Sequence, residues 1–133
     1  MSRRRVHPLL RRGLPVATVV AWCTAFALTH VPAEKLPHLG TGDAALHAIG
    51  YFVLAGLLWA TLAVRGVWPP RRATLVICVM IVYAALDEAT QTLPALRRAA
   101  SMADWLADVG GAVAAVGIGE GAIALALRRR RKR

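Results

Sequence analysis

Residues 44–64 read AALHAIGYFVLAGLLWATLAV, a run without a single Lys, Arg, Asp or Glu. A helix rises ~1.5 Å per residue, so a run of this length crosses the ~30 Å hydrocarbon core of a bilayer. Its apolar residues are continuous rather than alternating, and Ala and Leu dominate, which selects a helix over a barrel strand. Working outward, three further stretches have the same character: residues 14–31, 73–93 and 105–127. The spacing predicts an all-α membrane protein: four transmembrane helices in a bundle with short loops. It forms one domain over residues 14–127, with basic tails at 1–13 and 128–133.

Composition agrees. Of 133 residues, 57% are hydrophobic, and the mean hydropathy is +0.51, more apolar than soluble domains of this size. The net charge of +10 would suit nucleic acid, but its placement does not. Arg3, Arg4, Arg5, Arg11 and Arg12 precede the first span; Arg65, Arg71 and Arg72 separate the second and third; Arg128 to Arg131, Lys132 and Arg133 follow the fourth. Fourteen of the seventeen basic residues thus fall on one side of a four-span topology, against Lys35, Arg97 and Arg98 on the other. The positive-inside rule puts both termini in the cytoplasm. No aromatic residues interleave with the terminal arginines, and no nucleic-acid partner is expected; the basic ends suit anionic membrane lipids.

The first span follows an Arg-rich start, as in a secretory signal. Three more spans and the lack of a small-residue cleavage site favour a retained helix. Pro15 is expected in that helix's first turn, and Trp59 and Trp68 near the inner interface. Cys23 and Cys78 lie inside spans and read as small buried hydrophobes. Ser101-x-x-Asp104 reads as a capping box opening the fourth helix.

The acidic residues are sorted too. Glu34, Asp43, Asp87, Glu88, Asp104 and Asp108 fall in the outer half under this topology, and Glu120 alone lies towards the inside. Ionisable groups within a span are costly and usually face the bundle or water. In the second helix Asp43, His47 and Tyr51 form one stripe at i, i+4, i+8. In the third, Asp87, Glu88 and Gln91 point to one side. In the fourth, Asp104 and Asp108 share a face with Gly111, Ala115 and Gly119, whose small size lets backbones approach. These groups lie at similar depth and predict an acidic polar site open to the outside, completed by Arg97 or Arg98. Adjacent carboxylates at Asp87 and Glu88 repel unless protonated, paired or metal-bound. Glu120 is expected to snorkel inward or pair with the basic tail. His7, His30 and His38 receive no role.

The order Asp43-x3-His47-x3-Tyr51, Asp87-Glu88-x2-Gln91 and Arg98-x2-Ser101-x2-Asp104-x3-Asp108-x2-Gly111 resembles the VanZ-like membrane proteins, over about residues 14–119. Thr29-His30-x-Pro32 is similar to the end of that family's first helix. There are departures: Ala44 stands where the family has Lys, Asp108 where it has Asn, and Pro94-Ala95-Leu96 replaces its Pro-Gly. The resemblance implies a bacterial cell-envelope protein linked to resistance to lipid-bearing glycopeptides such as teicoplanin, and it supplies no catalytic mechanism. A lipid-linked wall precursor or the antibiotic is then the expected partner, with Arg97 or Arg98 on its phosphate. The alternative is a membrane hydrolase or transferase acting on a lipid phosphate or ester, in which Asp87, Glu88, Asp104, Asp108 and His47 hold a divalent cation, the one cofactor this sequence suggests. In a third reading the polar residues only lock the helices together. HExxH and GxSxG are both missing.

Overall fold

The computed structural model describes residues 7–31, 43–96 and 99–133. They form four helices: α1 (Pro8–Thr29), α2 (Asp43–Val64), α3 (Pro69–Gln91) and α4 (Met102–Arg131), with one 3-10 turn at Pro94–Leu96. All four are long and apolar enough to cross a membrane, as the spacing predicts. No strand occurs among the described residues.

α1 and α3 begin earlier than their apolar runs because proline starts a helix. Pro8 takes the first turn of α1, with His7 Nδ1 accepting from the Leu9 N–H at 3.4 Å. Pro15 therefore lies inside α1 rather than in its first turn. Pro69 and Pro70 likewise open α3, four residues ahead of the expected start; a proline here gives up only an N–H that has no helical partner. Gly66, at φ +79°, closes α2. Its N–H bonds to Ala63 O and that of Val67 to Leu62 O, the paired bonds of a Schellman cap. α4 continues through Arg131, past the expected end at residue 127, since cations suit a helix C-terminus. Helix thus extends into both segments read as tails.

α2 and α4 run parallel and pack along most of their length. Gly111 makes this possible: a Cβ there would run into the Ala48 carbonyl. One at Gly119 would meet the Trp59 ring at 2.7 Å. α1 rests chiefly on α2, and Thr18 and Thr61 share a buried 3.0 Å hydrogen bond between them. α3 packs antiparallel to α4 and α2, around Leu54, Ala55, Val76, Met80, Ala84 and Ala112.

The molecule is apolar outside and polar within. Val16, Val20, Ile49, Val82 and Ile118 are exposed, whereas Asp87, Asp108, Glu88, Gln91 and Arg72 are buried. In water this would strand a large apolar surface; in lipid it is the expected arrangement. Cys23 and Cys78, expected inside, are exposed on the bundle exterior.

Candidate functional site

With the helices alternating in direction, α1 and α3 end where α2 and α4 begin. That end gathers most of the polar residues singled out in the sequence. His47 lies one turn into α2 and Asp108 in the second turn of α4. Because Gly111 brings the α4 backbone against Ala48, Asp108 reaches its neighbour: His47 Nδ1 and Asp108 Oδ1 lie 3.1 Å apart, both groups buried. Glu88 comes in from α3. One donor atom from each of His47, Glu88 and Asp108 lies within 4.8 Å of the other two.

Asp87 and Glu88 diverge, because successive residues on a helix point ~100° apart. Asp87 turns to α1, where Thr29 Oγ1 donates to its Oδ1 at 2.9 Å and His30 Nδ1 lies 3.8 Å away. Gln91 Nε2 donates to the other oxygen at 3.2 Å. Glu88 turns to α4, where Oε2 accepts from the Ser101 N–H at 2.7 Å. Ser101 Oγ in turn caps α4 by accepting from the Asp104 N–H at 3.2 Å. The expected capping box is thus half present: Glu88, from another helix, takes the N–H that a box would give to its own acidic residue.

Four buried oxygens in this region make no hydrogen bond among the described residues: Glu88 Oε1, Asp108 Oδ2, Tyr51 OH and Tyr83 OH. Tyr51 is one turn beyond His47, its ring stacked on Tyr83 at 5.6 Å. Burial takes water from such groups at a cost of about 1–3 kcal/mol each, more if charged. An imidazole nitrogen and two carboxylates are donor types of a divalent-cation site, where ligands stand ~2.0–2.2 Å from the ion.

Of the predicted site residues, the structure brings His47, Glu88 and Asp108 into one cluster, with Asp87 and Gln91 in an adjoining network. Tyr51 flanks the cluster, and Ser101 is tied to it through Glu88. Asp104 is half-buried and belongs to the cap. Asp43 opens α2, but its side chain, like all of Arg97 and Arg98, lies outside the described residues.

Two functional-looking groups were missed. His30, given no role, stacks on Phe26 at 3.9 Å and bonds to Thr90 Oγ1 through Nε2 at 3.0 Å, beside Asp87. Its place in the last turn of the first span, level with Asp87, was the available signal. At the opposite end, Glu120 pairs with Arg72 rather than with the tail: Nη2 and Nε of Arg72 donate to its two oxygens at 2.6 and 2.8 Å. Trp59 Nε1 also donates to Glu120, at 2.9 Å. Comparison with known protein families, curated proteins and solved structures finds no match for this chain.

Proposed function

We propose that this multi-pass membrane protein is a VanZ-like protein of the bacterial cell envelope, with both termini in the cytoplasm and the His47–Glu88–Asp108 cluster in the outer half of the bilayer. Its work is to engage a lipid-linked envelope component or a lipid-bearing glycopeptide such as teicoplanin. The reading rests on one observation above all: two buried carboxylates and a tyrosine keep oxygens without protein partners. A polar cluster that only locked helices would be expected to satisfy its own groups. The order of motif residues from Asp43 to Gly111 supports the family, and Arg97 or Arg98 is assigned to a head-group phosphate.

A second reading, a metal-dependent hydrolase or transferase acting on a lipid phosphate or ester, is favoured by the convergence of the three donor atoms within 4.8 Å. In it the cluster holds a cation that polarises the phosphoryl or carbonyl oxygen.

The test compares teicoplanin and vancomycin susceptibility in a bacterial deletion strain carrying wild type or Glu88→Gln, with membrane levels matched by blotting. Wild type should restore tolerance to teicoplanin more than to vancomycin, and Glu88→Gln at equal abundance should not. Equal shifts for both drugs, or full rescue by Glu88→Gln, would overturn the proposal.

A further inference from the structure

We infer that His47, Glu88 and Asp108 form a binding site for one divalent transition-series cation, Zn²⁺ in preference to Mn²⁺, buried between α2, α3 and α4. The inference deepens the reading above by assigning the ion held at the same cluster.

Three observations converge. The side chains come from three different helices, yet one donor atom of each lies within 4.8 Å of the others. All three are more than nine-tenths buried, with Asp108 wholly inaccessible. Asp108 Oδ2 and Glu88 Oε1 have no hydrogen-bond partner among the described residues. The remaining oxygens are already oriented: Asp108 Oδ1 lies against His47 Nδ1, and Glu88 Oε2 is held by the Ser101 N–H. Each carboxylate therefore has one oxygen fixed by the protein and one left for something else. Metal-ligating carboxylates are typically anchored by an outer hydrogen bond, as Glu88 is by the Ser101 N–H.

Charge gives the same answer. Two carboxylates sunk in an apolar bundle are protonated, paired or metal-bound. Among the described residues the one buried Arg is Arg72, committed to Glu120 at the opposite end. A dication neutralises both carboxylates at once. The donor set then selects the ion: an imidazole nitrogen disfavours Mg²⁺ and Ca²⁺, and within the first-row series Zn²⁺ outbinds Mn²⁺ at such sites. Three protein ligands leave a coordination position for water or a substrate oxygen. Tyr51, buried and with its hydroxyl unpartnered, lies one helical turn from His47 on α2.

The experiment uses the full chain in lipid nanodiscs, purified with a histidine-free tag. It carries Cys23→Ser and Cys78→Ser, so that thiols are not the ligands. Zn²⁺, Mn²⁺ and Mg²⁺ are titrated separately by calorimetry, with metal content measured after dialysis and folding followed by tryptophan fluorescence. One Zn²⁺ per chain is expected, with Mg²⁺ far weaker and a rise in unfolding temperature on binding. His47→Gln and Asp108→Asn should each weaken Zn²⁺ by at least ~100-fold, since losing even an outer partner costs 10–100-fold. Folded wild type that takes up no Zn²⁺ or Mn²⁺, or binding that survives both substitutions, would overturn the inference. Should those variants fail to fold, Mn²⁺ bound to wild type decides: imidazole-nitrogen hyperfine coupling in its spin-echo spectrum supports the site, and its absence overturns it. A chain that restores teicoplanin tolerance while binding no cation keeps its envelope role and loses this site. A chain that binds Zn²⁺ without altering tolerance does the reverse.

Discussion

Arg72 is the residue whose role was hardest to see before the fold. In the sequence it is one of three arginines in an inner turn, and counting it there is enough to argue topology. Its partner became visible only once Pro69 and Pro70 were seen to start α3, because that start turns Arg72 towards the bundle core and leaves Arg71 exposed. Arg72 is then buried, grips Glu120 with two nitrogens, stands 4.9 Å over the Trp59 ring and donates to Val67 O at 3.3 Å. Removing one partner of a buried pair leaves the other charge uncompensated, at about 3–5 kcal/mol when burial is complete. Glu120 keeps a quarter of its side chain exposed, so Arg72→Met should cost about 2–3 kcal/mol. Arg72→Lys should recover less than half of that, since a point charge cannot reproduce the two-nitrogen grip. Adding Glu120→Gln to Arg72→Met should be less damaging than the sum of the single changes, a coupling that thermal unfolding of the four proteins in detergent would measure. Strict additivity would mean that the pair is only an incidental contact.

At the scale of elements, the four spans were legible because a ~20-residue apolar run admits few other structures. The starts of α1 and α3 were not, since their proline-led first turns look like loop when hydropathy alone is read, whereas Ser101 marked the start of α4. The contact that builds the site was partly legible. Gly111, Ala115 and Gly119 recur at the spacing of one helix face, and two of them do meet α2. The sequence did not say that α2, rather than a second copy of the chain, would lie against them. Nor did it show that this approach, by setting α4 against Ala48, delivers Asp108 to His47. The consequence is a sharp contrast between neighbouring glycines. Gly111→Ala drives a methyl group into the Ala48 backbone carbonyl, which has no rotamer to yield. It should cost about 3 kcal/mol, the upper end of ordinary overpacking, and disturb the His47–Asp108 contact. Gly110→Ala and Gly117→Ala meet nothing within 4 Å and should be neutral or gain about 0.5–1 kcal/mol of helix stability. Unfolding temperatures in one detergent would compare the three, and equal effects would contradict the parallel packing of α2 on α4.

At the scale of the whole molecule, an even number of helices fixes one relation and leaves another to charge. With α2 and α4 parallel and α3 reversed between them, α1 begins and α4 ends at the same end of the bundle, away from the His47 cluster. That end carries Arg11, Arg12 and the run from Arg128 to Arg133. α4 is 30 residues long, ~45 Å of helix, so its arginine-rich final turns project beyond a ~30 Å hydrocarbon core. The charge asymmetry then predicts which compartment each end meets: moving basic segments outward opposes the insertion preference, so both termini should be cytoplasmic. Single cysteines read this directly once Cys23 and Cys78, both on the exterior of the bundle, are replaced by Ser. Ser2→Cys and Lys132→Cys should react with a membrane-impermeant maleimide only after cells are permeabilised. Ala99→Cys, exposed beside the start of α4, should react in intact cells. The reversed pattern would place the His47–Glu88–Asp108 cluster on the cytoplasmic side. An extracellular glycopeptide would then be excluded as its direct ligand, whereas the cation site, which depends only on the packing of α2, α3 and α4, would stand.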